Sequence, residues 1–462
     1  MKSVNYFNTI LCCFVLLLVV AVPLSAQSKK DKEQAKKFRD EADKAVGAKN
    51  YKEAAELYGK SLTLDPNSSY AHYRKGFAHF SIKENDQAIN ELTLALNQGY
   101  KPLDIYRIRY YVYFEQGNYD AALADAQKGL QLAPNDTSFL GAVGEINYAR
   151  KSYPQALEAF QKMAKTNPNG GGDVYYNIAR VTLAMNDAKA QADAAETALA
   201  KGTRFPAEAF YLLGDAHQKL KNSDKAIDAY QRALGVKPTM YQLYQNLSDL
   251  YKAESKFNES IDILKKGLTQ FVNDGNFYTE LGLVYSLAGR PEDAVKAARS
   301  AVQLLPNQAA GYTNLCRALN ETKEYAQAVL ACNSSLRIRP DDGETYFYLG
   351  NALVGTDKSV EAARAYSNAV RGLVEVTKKN PEQSDNWYLL GNSYFADKQF
   401  EKAIAAYLKC LEISPKFLRA RANLGIAYTR NKNKAAATEQ YNLLMAADAS
   451  LAARVKAEID RM

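Results

Sequence analysis

The chain has 462 residues, with 59 Lys+Arg against 51 Asp+Glu, three histidines and a net charge of +8. At 47% hydrophobic and 24% charged it has the composition of a folded chain, which excludes a disordered one and, past the first 26 residues, a membrane-integral one. So few histidines, beside five cysteines, exclude a Cys/His-rich metal centre or a disulfide-stapled fold, and a charge this thinly spread excludes a nucleic-acid footprint.

Ile10 to Val22 is an unbroken run of thirteen apolar residues, preceded by Lys2 and followed by Pro23, Leu24, Ser25 and Ala26. This layout predicts a secretory signal peptide over residues 1–26, because the run is shorter than the roughly 18 residues that a membrane span needs. Ala26 suits the residue before the cut, whereas Leu24 is large for its place in the cleavage box. The runner-up is an uncleaved N-terminal anchor. Cys12 and Cys13 lie inside the apolar run, and neither reads as an acylation site. An exported protein in a periplasm, cell envelope or secretory lumen is therefore expected, with membrane contact only through this segment if it stays uncleaved.

From Lys29 onward the dominant signal is a period of 34 residues. Gly76, Gly144, Ala179, Gly214, Gly282, Gly350, Gly391 and Gly425 align in register, and units start at 35, 69, 103, 137, 172, 207, 241, 275, 309, 343, 384 and 418. A second small residue recurs twelve positions later, as Ala54, Ala88, Ala156, Ala226, Ala294, Ala362 and Ala403. An aromatic often follows it, as at Tyr58, Phe160, Tyr230, Tyr366 and Tyr407, and prolines such as Pro66, Pro134, Pro238, Pro340 and Pro415 close the units. Within one unit Trp387, Leu390, Gly391 and Tyr394 share a helix face, and Ala403, Tyr407 and Cys410 share the face of a second helix. Small residues let the two backbones approach, and the aromatic fills the wedge beside them. Many of the 32 tyrosines fall on such wedge positions, so their excess is mostly structural.

The pattern W-x2-L-G-x2-Y, then A-x3-Y and a closing proline over residues 387–415, resembles the tetratricopeptide repeat family. The resemblance covers residues 35 to 451. It implies an all-α fold, a right-handed α-solenoid of about twelve antiparallel helix pairs over residues 27–451. Single units depart from the pattern: Tyr110 stands at a small position of the third, and Ser248 and Ser260 take both small positions of the seventh. Asn169-Gly170-Gly171-Gly172 reads as a flexible joint. Residues 371–383 form an extension before the eleventh unit, read as a lengthened helix rather than a linker. Residues 449–462 read as a capping helix with Ser450 as its N-cap.

Catalytic chemistry is not apparent. His72 and His79 lie seven residues apart, about 10 Å of helical rise, and no third ligand accompanies them. Phosphate-loop, nucleophile-elbow and zinc-helix motifs are missing from the sequence. The expectation is no enzyme activity, no cofactor and no metal. Cys316 and Cys332 occupy two facing positions of one unit, where a disulfide is conceivable in an oxidising compartment; the other reading is two small buried thiols.

The resemblance also implies that first helices line a concave groove, through the second, fifth, ninth and twelfth positions of each unit. Along the N-terminal third these are Tyr73, Phe77, Phe80, Arg107, Tyr111, Phe114 and Tyr148, an aromatic stripe with an arginine. Such residue types carry much of the binding energy of interfaces; the competing reading is that the solenoid buries them against itself. Farther on the positions turn polar, and the C-terminal units present Tyr388, Asn392 and Phe395. Asn392 and Asn423 sit where carboxylate-clamp repeats place asparagines, but Tyr388 replaces the clamp's lysine. The reading is a scaffold for protein or peptide partners, with no nucleic acid expected. The alternative is a holdase or assembly chaperone for exported chains.

Overall fold

The computed structural model describes residues 29–462, so the apolar run and the signal-peptide reading lie outside the described residues. Among the described residues there are 25 α-helices and no strand. The first pairs are α1 (Lys29–Gly47) with α2 (Tyr51–Leu64), α3 (Ser69–Ser81) with α4 (Asn85–Asn97), and α5 (Pro102–Glu115) with α6 (Tyr119–Leu132). Next come α7 (Thr137–Ala149) with α8 (Tyr153–Thr166), and α9 (Asp173–Ala184) with α10 (Ala188–Ala200). Then follow α11 (Pro206–Lys219), α12 (Ser223–Val236), α13 (Tyr241–Ala253) with α14 (Phe257–Gln270), and α15 (Gly275–Leu287) with α16 (Pro291–Leu304). The later pairs are α17 (Ala309–Glu321) with α18 (Tyr325–Ile338), α19 (Gly343–Gly355) with α20 (Ser359–Lys379), and α21 (Ser384–Ala396) with α22 (Phe400–Ile413). The chain ends with α23 (Leu418–Arg430), α24 (Lys434–Met445) and the single α25 (Ala449–Ile459).

These helices form two compact units, one ending at Ala216 and one starting at His217. Inside each, consecutive helices pack in series, and first helices also touch the first helices of neighbouring pairs: α3 with α5, α5 with α7, α15 with α17, α17 with α19. That is an α-solenoid, in which each pair covers the apolar face of its neighbour.

The crossing of α21 and α22 shows why the pattern demands small residues. A Cβ at Gly391 would fall 2.5 Å from a ring carbon of Tyr407, which is 1% exposed. Where the pattern lapses, the packing adapts. Tyr110 lies edge-on to Phe139 at 6.0 Å, and the Ser248 and Ser260 hydroxyls hydrogen-bond to each other at 2.7 Å. Cys316 on α17 and Cys332 on α18, both fully buried, are joined as a disulfide with Cα atoms 5.2 Å apart. Cys410 is a free, buried thiol, pushed up to about 12 by burial.

The turn inside each pair carries one residue with positive φ, among them Lys49, Lys83, Gly117, Lys323 and Lys398. At Lys398 the following Gln399 N–H reaches back to the Tyr394 carbonyl (2.8 Å), and the Lys398 N–H reaches Phe395 (3.0 Å). This closes the helix with a left-handed residue where glycine is preferred. The left-handed conformation costs an L-residue roughly 1–2 kcal/mol, part of which glycine's freedom in the unfolded chain offsets. Lys398→Gly is therefore expected to stabilise by about 0.5–1 kcal/mol, read as a higher melting temperature of the full chain.

Two local readings are corrected. Gly172 is not a free joint: its N–H bonds the Gly202 carbonyl at 3.4 Å, and a Cβ there would collide with the Ala198 carbonyl oxygen. The N-cap of α25 is Asp448, whose carboxylate accepts from the Leu451 N–H at 3.0 Å, and not Ser450. The seven extra residues before the eleventh pair are helical, making α20 21 residues long where α18 and α22 have 14.

Candidate functional site

In the first unit, the i, i+4, i+7 spacing sets Tyr73, Phe77 and Phe80 on one face of α3. Phe77 packs edge-on against Tyr51 of α2 (6.1 Å) and touches Phe80 (6.5 Å). Phe80 meets Tyr111 of α5 edge-on at 5.7 Å. Phe77, Phe80 and Tyr111 thus form one aromatic run across two first helices. Tyr111, at its solvent end, is 44% exposed, and the Glu115 charge one turn on raises its phenol. Arg74 flanks the run with its guanidinium 5.9 Å from the Phe77 ring, held from behind by Asp43 and the Tyr58 hydroxyl.

The other aromatics of the stripe go elsewhere. Tyr73 stacks on Tyr100 at 4.4 Å and packs on the core around Leu92 and Ile105. Phe114 contacts Tyr119 at 5.5 Å and joins the core around Phe139. Arg107 is exposed, pairs with Asp136 at 2.6 Å and lies 5.3 Å from the Phe139 ring. Tyr148 belongs to a second group: Arg180 lies 4.6 Å from its ring and 5.7 Å from that of Tyr176, which stacks on the 39%-exposed Phe205 at 4.8 Å. Sequence reasoning missed Tyr51, Tyr176 and Phe205. Tyr176 carries a usable signal, since it holds the fifth position of its unit; Tyr51 opens a second helix and Phe205 sits in a connection, outside the groove register.

In the second unit, Tyr388, Asn392 and Phe395 lie on α21, all half-buried. Tyr388 packs on Phe417 (4.8 Å), and Phe395 on Phe400 (5.4 Å). The Asn392 side-chain oxygen accepts from the Tyr407 hydroxyl (2.8 Å) and from the Asn423 amide (2.9 Å). The two asparagines therefore spend this pairing on each other, which argues further against a carboxylate clamp.

The same unit holds a cavity of about 400 Å³ against α17–α20, walled by Arg317, Asn320, Glu321, Tyr325, Tyr348 and Tyr366. Arg317 is paired with Glu344 and lies 5.0 Å from the Tyr348 ring. Nearby first helices carry Lys252, paired with Asp249 (2.7 Å) and Glu280 (3.0 Å), and Arg419, which donates to the Leu287 carbonyl at 3.3 Å. Desolvation by packed neighbours on one side raises the carboxyls of Glu321 and Asp385 above the usual range, although both keep an exposed face. Ser286 and Arg317 pull Glu321 the other way, as Lys252 and Arg317 do Asp385.

Among the described residues, no group of three or more His, Cys, Asp or Glu could hold a metal ion, and no helix is long and apolar enough to cross a membrane. His72 is buried, bonded to Glu91 (2.5 Å) and to the Pro66 carbonyl (3.1 Å), while His79 is bonded to Glu84 (2.5 Å). Both act as structural groups here.

Tetratricopeptide repeat models match residues 45–106, 111–171, 207–240, 250–343 and 384–417. The chain is 33% identical over 132 residues to a protein SGT1 homolog of Bos taurus, covering 28% of this chain and 39% of that protein. It is 28% identical over 105 residues to an Hsp70-Hsp90 organizing protein of Triticum aestivum, covering 23% of this chain and 18% of that one. A crystal structure of a tetratricopeptide repeat protein from Parabacteroides merdae aligns with a TM-score of 0.45 at 13% identity, covering 55% of this chain and 98% of that one. The matches span well under half the length of these curated relatives.

Proposed function

The chain belongs to the tetratricopeptide repeat family, and from that premise we propose that it is a non-catalytic scaffold holding protein or peptide partners on its first helices, in an exported compartment. The observation that carries the reading is the Phe77–Phe80–Tyr111 run, an aromatic surface on adjacent first helices flanked by Arg74. Aromatic side chains of this kind anchor interfaces because they bury much area at little entropic cost, and arginine adds stacking and several hydrogen-bond donors. The repeat fold is a typical interaction scaffold, as the chaperone-organising name of one relative illustrates. Export is supported by the N-terminal apolar run and by the Cys316–Cys332 disulfide, a bond that persists in oxidising compartments.

The test is in-cell crosslinking of the full chain followed by mass spectrometry, against a Phe80→Ala/Tyr111→Ala form shown by circular dichroism to be folded. Removing a central aromatic anchor costs about 2 kcal/mol or more. One or two dominant envelope partners, depleted at least ~10-fold in the variant, are expected. A broad spread of exported chains, lost in the same variant, would point to the holdase function instead. Partners retained in full by the variant would contradict the reading.

A further inference from the structure

The cavity against α17–α20 has a chemistry of its own, and it lies in a different unit from the aromatic run. Asn320 donates both amide hydrogens to backbone carbonyls, of Cys316 (2.9 Å) and Tyr348 (3.1 Å). That fixes which way its amide points, so its Oδ1 can only accept, and this buried oxygen has no hydrogen-bond donor. Asn351 adds a second amide, whose Oδ1 accepts from the Tyr366 hydroxyl at 2.8 Å. Glu321 adds a carboxylate on the same wall. Three rings, Tyr325, Tyr348 and Tyr366, and Val354 line it as well, beside Arg317.

Leaving a buried acceptor unpaired is costly, so a wall of this kind calls for a donor. The one cation of the lining is already engaged, since the Arg317 guanidinium is paired with Glu344 and lies over Tyr348. Its buried Nε–H has no acceptor, which suits a carbonyl arriving beside the donor. An ammonium group has three N–H donors and no acceptor, carries the charge opposite to Glu321, and is drawn to tyrosine faces. A carboxylate would meet Glu321 and the Asn320 oxygen. The neighbouring first helices add excess negative charge, with Asp249, Glu280, Glu344 and Asp385 beside Lys252 and Arg419. A volume of about 400 Å³ admits one long side chain and its backbone.

We propose that this cavity takes the ammonium group of a lysine side chain presented by a partner polypeptide, with the backbone carbonyl of that lysine accepting from Arg317. The proposal rests on the scaffold reading, and it assigns the second unit a recognition chemistry distinct from the aromatic run.

The test is a saturation-transfer NMR titration of the full chain with Nα-acetyl-lysine N-methylamide, its norleucine counterpart, and n-butylammonium. Lysine is expected to bind at least ~10-fold more tightly than norleucine, and Glu321→Gln to weaken it by a similar factor. The comparison between ligands needs no variant, and Glu321 is exposed, so its replacement leaves the fold intact. Equal binding of norleucine, or full binding by Glu321→Gln, would overturn the proposal. Butylammonium binding as tightly as the lysine compound would assign the cavity to a free amine and overturn the polypeptide source. No detectable lysine binding would also overturn it, and would leave the aromatic run to be judged by the Phe80/Tyr111 crosslinking alone.

Discussion

Tyr407→Ala is expected to destabilise the second unit by about 3–5 kcal/mol, the cost of deleting a large aromatic from a closed core. The tyrosine is 1% exposed and fills the wedge against Gly391, with Leu424 and Ala427 of the next pair in the same cluster. Its hydroxyl also donates to Asn392, so truncation removes one partner of a hydrogen-bonded group as well. Because each pair is buried by its neighbours, the loss reaches both flanking interfaces. Urea unfolding of the full chain, followed by circular dichroism, should show a clearly lower midpoint for the transition of this unit. Leu408→Ala is the control: Leu408 is 47% exposed, and its replacement should shift the midpoint little.

Arg109→Ala is expected to cost the first unit about 3–5 kcal/mol, for an electrostatic reason instead of a packing one. Arg109 and Asp125 form a bidentate pair (2.6 and 2.8 Å) with side chains 9% and 4% exposed. A third bond runs from Arg109 to the Thr93 hydroxyl at 2.8 Å. Removing the arginine leaves a buried carboxylate without its counter-charge. Arg109→Met combined with Asp125→Leu should recover most of the loss, since replacing both partners by apolar groups of similar volume is often neutral. A double variant as unstable as Arg109→Ala would show that the site depends on shape and not on charge.

The fold was legible in the sequence because the period of 34 residues is repeated and most units place a small residue at the crossing. Gly391 and Tyr407 meet as that pattern requires, and units that depart from it, such as the one with Ser248 and Ser260, substitute a hydrogen bond for a methyl contact. What the sequence left open has two physical causes. The first is that a glycine-rich run reads as flexible when its glycines serve close approach, as Gly172 does beneath α10. The second is that a register position states which way a side chain leaves the helix and not what it meets. Tyr73 and Phe77 share a face of α3, yet Tyr73 stacks on Tyr100 against the core around Leu92 while Phe77 meets Phe80 and the surface run. The cavity of the second unit was less legible still. Its unpaired acceptor depends on Asn320 donating to two carbonyls, which composition and spacing do not encode.

The most direct test of the account is hydrogen–deuterium exchange of the full chain, with and without the dominant partner recovered by crosslinking. First helices as the contact surface predict new protection in α3 and α5, over the segments bearing Phe77, Phe80 and Tyr111, with α4 and α6 unchanged. Protection confined to α4 and α6, or none in the first unit, would contradict it.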